Sequence, residues 1–256
     1  MTTSIMSNAT TRPVIAVLRT ETRLFARQPA ALFWILVFPV LLLTILGLIP
    51  SFREPDPNLG GLRVIDLYVP VTLLLAMIVG GIQTMPAVLS AYREQGILRR
   101  LAVTPARPAY LLAAQIVVHA VAIAVSVVFA LVVGRVVFDV AFPAQPWGFA
   151  LAVLVTLAAA LSLGAAISAL SSSQRVAQTL GTIVFFPMMF CVGVWIPVQA
   201  MPEVLQRIVE LTPFGAAAQI LDQAAAGDWP AWSGLAVILG WAVVLTAAAI
   251  RWFRWQ

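Results

Sequence analysis

Ala109–Phe138 reads AYLLAAQIVVHAVAIAVSVVFALVVGRVVF, with Arg135 as its one charged side chain. In water such a stretch has no polar face to show. In lipid it must be a helix, because only a helix or a closed barrel satisfies every backbone N–H and C=O internally. About 20 apolar residues cross a bilayer core, so this segment is longer than it needs to be and is expected to tilt or project. Working outward, similar runs give spans at Ala30–Ile49, Leu67–Leu89, Trp147–Leu170, Val176–Ile196 and Trp232–Ile250. The expected class is an all-α, polytopic integral membrane protein with six transmembrane helices. A surface helix precedes them, and a short re-entrant or interfacial helix precedes the last. The expected organisation is one membrane domain over 1–256: a cytoplasmic helix in 1–29, the bundle in 30–250 and a cytoplasmic tail in 251–256.

Composition agrees. Of 256 residues 62% are hydrophobic and 10% charged, against about 25% charged in soluble domains; mean hydropathy is +1.00. Arginine placement sets the expected orientation. With the N-terminus inside, the inner segments hold Arg12, Arg19, Arg23, Arg27, Arg93, Arg99, Arg100, Arg107, Arg175, Arg251 and Arg254, but only two acids, Glu21 and Glu94. The outer segments hold Arg53, Arg63, Arg135 and Arg207 with the other eight acids. Both termini are therefore expected in the cytoplasm, in a plasma-membrane protein. Positive-inside topology accounts for the high pI of about 10.6, with no nucleic acid needed. Trp34, Trp147, Trp195, Trp232, Trp252 and Trp255 fall at span ends, as an interfacial belt would. The first 29 residues lack the pattern of a secretory signal, since a spanning run follows them directly.

All 15 basic residues are arginine. A P-loop needs a lysine to reach the β- and γ-phosphates, so any ATP that drives this chain is expected on another polypeptide. With one histidine, His119, and one cysteine, Cys191, a zinc site in a single chain is not expected, nor is a serine–histidine–acid set. No catalytic residue, metal or cofactor is expected in the chain. His119 sits deep in the third span, either as a neutral imidazole bonded to a neighbouring helix or, less simply, as a proton or substrate group. Arg135 and Asp139, four apart, should pair with each other. Gly164 and Ser168 form a small-xxx-small pair that allows close helix contact.

Four segments carry mechanical content. In the first, Arg12, Arg19, Arg23 and Arg27 share one face of an amphipathic helix from Thr11 to Gln28, with Pro13 in its first turn. Glu21 lies in the opposite, apolar arc. It either snorkels or bonds locally, or it meets a protein partner that supplies a cation. Gln28-Pro29 marks the bend into the first span. The second is the loop after the second span, Tyr92–Tyr110. Gly96 can break the emerging helix, and Ile97, Leu98 and Leu101 make an apolar ridge beside Arg99 and Arg100. Thr104 and Pro105 can start the next helix. The product is a short helix parallel to the membrane and tied to a span at each end, or else an ordinary basic loop. Third is Ser171–Gln178, a small polar turn with Arg175. The fourth is Pro187–Pro213, with an amphipathic piece over Pro202–Leu211 too short to span.

Glu94-x-Gly96-x-Leu98-x-Arg100-Leu101-x-x-Thr104-Pro105 resembles the signature of the membrane subunits of ABC-2 type exporters. The likeness extends to Arg27-Gln28-Pro29 through Phe38-Pro39, to Phe186-Pro187-Met188-Met189 with Gly193, Trp195-Ile196-Pro197 and Met201-Pro202, and to Leu211-Thr212-Pro213-Phe214. The resemblance implies a coupling helix that docks on a nucleotide-binding ATPase subunit, formed by Arg93, Glu94, Gly96, Ile97, Leu98, Arg100 and Leu101. Arg175 would make a second, weaker contact. It implies a connecting helix over about Pro13–Gln28, with Arg19, Glu21, Arg23 and Arg27. Phe186, Pro187, Met188, Met189, Trp195 and Pro197 would belong to a gate and pathway, unless that region is only a stabilising lid. ATP and Mg would be held by the ATPase partner, and a second permease copy or close relative would complete the pathway within the lipid bilayer. A hydrophobic drug-like or lipid-like substrate is expected, and replacing Glu94 and Leu98 should uncouple hydrolysis from export. The competing expectations are a non-transporting scaffold or sensor and a membrane-embedded lipid-modifying enzyme.

Overall fold

The structure is a computed structural model that describes residues 3–57, 61–101, 108–196, 198 and 201–252, with side chains from Val14 onward, Pro108 excepted. Its helices are α1 (Thr3–Phe25), α2 (Pro29–Gly47), α3 (Val64–Glu94), α4 (Ile97–Leu101), α5 (Pro108–Phe138), α6 (Pro146–Leu170), α7 (Gln174–Cys191), α8 (Glu203–Glu210), α9 (Pro213–Ala226) and α10 (Trp232–Trp252). No strand occurs among the described residues. Helices α2, α3, α5, α6 and α10 are long and apolar enough to cross a membrane. The chain is an all-α, multi-pass membrane protein.

The expected fifth span, Val176–Ile196, is the 18-residue α7. Its first turns carry Gln174, Arg175 and Gln178, so it is less apolar than the other five. It still travels the length of the bundle. Its first residue lies beside Glu94, at the end of α3. Val194, just past its last turn, accepts a hydrogen bond from Tyr68 near the start of α3. Helices α6 and α10 run side by side in the same direction. Gly148 abuts Pro230 at their starts, and the Ser162 and Thr246 hydroxyls meet at 3.0 Å further along.

Helix α3 is the axle of the bundle. Buried residues make up 83% of its apolar window, against 22% for α10. Two wide π-turns shape the packing around it: Phe33–Val37 in α2 and Val79–Thr84 in α3. Each lies just before a proline, Pro39 and Pro86. A proline ring clashes with the carbonyl four residues back and leaves it without a donor; the widened turn absorbs that clash. Thr84 Oγ1 donates to the Gly80 carbonyl at 2.8 Å, supplying a bond that water cannot supply in lipid. The same turn exposes Gly81 to α6, where the expected close approach of Gly164 is found: the two glycines meet backbone to backbone. Ser168, the other half of that pair, instead gives its carbonyl to Arg93.

Two sequence expectations are corrected. Helix α1 begins at Thr3, not near Pro13, so Pro13 lies inside it; a proline removes one i→i−4 bond, and the helix continues through that loss. Second, His119 is fully buried but bonds the carbonyl of Gln115 on its own helix at 2.9 Å, not a neighbour, because the position four residues back is the acceptor nearest to hand. Helix α8 is amphipathic, as expected of Pro202–Leu211. Val209 is buried and Leu205 packs beside it, while Val204, Ile208 and Leu211 face outward. The Arg135–Asp139 pair forms as expected, at 2.7 Å, and Trp34, Trp147, Trp195, Trp232 and Trp252 are exposed at helix ends. Trp255 lies outside the described residues.

Candidate functional site

Helix α3 ends because Gly96 adopts φ +70°, the left-handed conformation that favours glycine. Its N–H bonds the Arg93 carbonyl, and its own carbonyl accepts the Arg100 N–H that starts α4. One glycine thus closes the long span and opens the short helix. A Cβ there would meet nothing within 4 Å, so Gly96→Ala should cost only the left-handed penalty, about 1–2 kcal/mol. A lowered thermal midpoint of the detergent-solubilised protein, with Gly96→Asn milder than Gly96→Ala, is the expected reading.

The apolar ridge of α4 turns inward. Leu98 is buried, and Ile97 and Leu101 are half-buried. Leu98 therefore serves this chain's own packing, and the open surface consists of Glu94, Gln95, Arg99 and Arg100. Of these, Arg100 holds the Gln95 carbonyl at 2.9 Å. Thr104, Pro105 and Arg107 lie outside the described residues.

Three successive residues at the end of α3 each reach a different element. Tyr92 donates its hydroxyl to Glu21 of α1 at 2.8 Å. Arg93 donates to the carbonyls of Ser168 and Ser171, at 3.0 and 2.5 Å, at the C-terminal end of α6. Glu94 accepts the Gln174 N–H at 3.1 Å, at the N-terminus of α7. The signs suit the helix ends: a cation on exposed carbonyls and a carboxylate on exposed N–H groups. Each such placement is worth about 0.3–1 kcal/mol when exposed and up to about 2 kcal/mol when partly buried. Arg175 is exposed on the same turn, so the two expected contact loops are neighbours in space. Sequence reasoning missed Tyr92, Ser168, Ser171 and Gln174. The one available signal was three polar residues in direct succession closing the second span.

Glu21 is buried at 5% exposure. It accepts from Tyr92 and, at 2.5 Å, from Gln115 Nε2 of α5. Of the open readings of this residue, the local hydrogen bond is the one present; its partners are neutral donors of the same chain. Burial raises its pKa above the usual carboxylate value, with the two hydrogen bonds working the other way. Phe25, one turn on, lies edge-to-face on His119 with ring centroids 5.2 Å apart. Helix α1 thus packs one face on α5 and leaves Arg19, Arg23 and Arg27 exposed on the other.

The arginines divide by bundle end. Near the start of α3, Arg63 pairs with Asp66 at 2.7 Å and donates to the Phe138 and Asp139 carbonyls. Arg53 lies over the Phe138 ring, 5.2 Å from its centroid. Arg207 holds Glu203 on its own helix, and Arg135 holds Asp139 just past the end of α5. At the Gly96 end, Arg19, Arg23, Arg27, Arg99 and Arg175 are exposed, with no acid within bridging distance among the described residues.

At the other expected site, Phe186 and Trp195 are half-exposed and stacked at 6.4 Å. Pro187 lies inside α7, Met188 packs against the core and Met189 is buried. Pro197 lies outside the described residues. A cavity of about 520 Å³ opens between α5, α6 and α10, lined by aliphatic side chains such as Leu112, Leu154, Leu161 and Ile250. Its polar side chains are Ser162 and Thr246, which bond each other, so the space suits hydrocarbon. No group of three or more histidine, cysteine or acidic residues that could hold a metal occurs among the described residues.

Compared with known families, the chain matches the family model described as ABC-2 type transporter over residues 12–224. Among curated proteins none matches.

Proposed function

Because the chain belongs to the ABC-2 type transporter family, we propose that this membrane component is the permease half of an ATP-driven exporter. A separate P-loop ATPase subunit supplies the energy. The observation that carries this reading is α4: a five-residue helix suspended between two of the longest helices, in a chain with no lysine for a P-loop. A push on its open face acts on α3 directly, and Tyr92 of α3 and Gln115 of α5 share the Glu21 carboxylate. The unpaired arginines at that end favour placing it, α1 and both termini in the cytoplasm, in a plasma-membrane protein. The course of α7 from Glu94 to Tyr68 favours six crossings within one membrane domain.

The ATPase partner holds ATP and Mg, docking on Glu94, Gln95, Arg99 and Arg100, with a lesser contact at Arg175. A second copy of the permease, or a close relative, faces this one across the pathway. Phe186, Met188 and Trp195 face that route, with Pro187 loosening α7 near its outer end. The cargo is hydrophobic or amphipathic, drug-like or lipid-like, since the apolar cavity and largely aliphatic faces offer little to an ion.

The test is reconstitution with the companion ATPase in vesicles, reading ATP-dependent movement of a fluorescent lipid analogue and of a lipophilic dye. Wild type is expected to move at least one of them. Arg99→Glu with Arg100→Glu is expected to abolish ATPase binding while leaving membrane insertion intact. Movement without any nucleotide-hydrolysing partner would overturn the reading, as would undiminished ATPase binding by the charge-reversed variant.

A further inference from the structure

We propose that Tyr92, Arg93 and Glu94 are positioning residues that make α4, α1 and the Ser171–Gln174 turn move as one body; this rests on the transport reading above. Successive residues of a helix point about 100° apart. Three in a row therefore reach three separate neighbours, and here every neighbour is the terminus or buried face of another helix. Tyr92 holds α1 through Glu21. Arg93 holds the end of α6 through two carbonyls, and Glu94 holds the start of α7. Gln115 reaches the same Glu21 carboxylate from α5, so the helix that follows α4 is tied to the same node as the helix that precedes it.

The consequence is mechanical. Without these bonds, a push on α4 would reach the α6–α7 turn only through the backbone contacts further along the bundle, Gly81 with Gly164 and Ile82 with Gly181. With them, the turn is fixed to the last residues of α3 by three bonds of 2.5–3.1 Å, each with one charged partner, and such bonds are stronger than neutral ones. The two loops on the arginine-rich end then present one rigid surface to a partner. A displacement at either loop reaches α3, α6 and α7 together, and α1 follows through Glu21.

The experiment places spin labels at Thr22→Cys on α1 and Ser172→Cys on the turn, both exposed and outside the ATPase docking residues, in a Cys191→Ser background, and measures their separation by pulsed electron resonance. In the purified chain the distance distribution should be narrow. It should broaden in Arg93→Ala/Glu94→Ala and stay narrow in Glu94→Gln, which keeps an acceptor for the Gln174 N–H. In the complex with the ATPase, the wild-type separation should be the same with and without trapped nucleotide, while that of the double variant changes. Substrate moved per ATP hydrolysed should fall about fivefold or more in the double variant; loss of folded protein would lower both rates together and leave that ratio alone. If the double variant does not purify, Tyr92→Phe and Glu94→Ala singly take its place with the same readings. A distribution equally narrow in wild type and variant overturns the proposal, and so does a wild-type pair that separates on nucleotide binding. Should wild-type vesicles show no ATP-driven transport, the transport reading fails, while the label distances in the isolated chain still report on the three residues.

Discussion

Gly164→Leu is expected to yield no folded protein, and Gly164→Ala a clearly lowered thermal midpoint. A Cβ on Gly164 would sit on the carbonyl oxygen of Gly81, and one on Gly81 would lie 2.6 Å from the carbonyl oxygen of Ala160. Both obstacles are backbone, so no side chain can swing aside; α3 and α6 would have to part. Overpacking of this kind costs about 1–3 kcal/mol for one added carbon, and more for a larger group. Its effect is severe in a membrane, where helix association depends on close packing and not on the exclusion of water. Gly240→Ala is the matched control, because its Cβ would meet nothing within 4 Å and the midpoint should hold or rise slightly. The yield of Gly164→Leu and the thermal unfolding of Gly164→Ala and Gly240→Ala in one detergent decide the matter. Equal midpoints for Gly164→Ala and Gly240→Ala would mean that the α3–α6 contact is not as close as described.

Glu21→Ala is expected to be the most damaging single change on α1. It removes the acceptor shared by Tyr92 and Gln115, and each stranded buried donor costs about 1–3 kcal/mol. Glu21→Gln keeps a carbonyl acceptor and never carries charge, so it should fall far less and differ from wild type in its pH dependence. The sign follows from the raised pKa. The folded protein holds the Glu21 proton to higher pH than the unfolded chain does, so this group's contribution is greatest at or below the ordinary carboxylate value. It declines as pH rises through the folded pKa and is flat beyond it. Glu21→Gln should lack that decline. Parallel pH profiles for the two proteins would show that the carboxylate is not held as described.

Much of the architecture was legible because lipid leaves a sequence few options. The spans at Ala30–Ile49, Trp147–Leu170 and Trp232–Ile250 correspond closely to α2, α6 and α10. Gly96 read as a helix breaker and has the positive φ that breaking requires. Arg135 and Asp139, four apart, pair as spacing dictates. What depends on partners far along the chain was not legible. Nothing local to Arg93 or Glu94 names Ser168, Ser171 or Gln174, and Glu21 could have faced lipid, a partner or its own bundle. The same limit explains Leu98. Its place in an apolar ridge was readable, but not the direction in which the ridge points, because a five-residue helix takes its orientation from the helices at its ends.

Composition and arginine placement by themselves determined that this chain crosses a membrane as a helical bundle, which end is basic, and that it holds no lysine for a phosphate loop. Those are properties of a chain and its solvent: burying backbone in hydrocarbon permits helices and little else, and charge resists transfer across it. Only the tertiary structure decided which polar residues on the basic end meet. Tyr92, Arg93 and Glu94 are adjacent in sequence, yet each acquires its role from a helix terminus or a buried face that folding brings to it. Hydrogen bonds act over about 3 Å, and no pattern along the chain specifies which groups packing will bring within that reach.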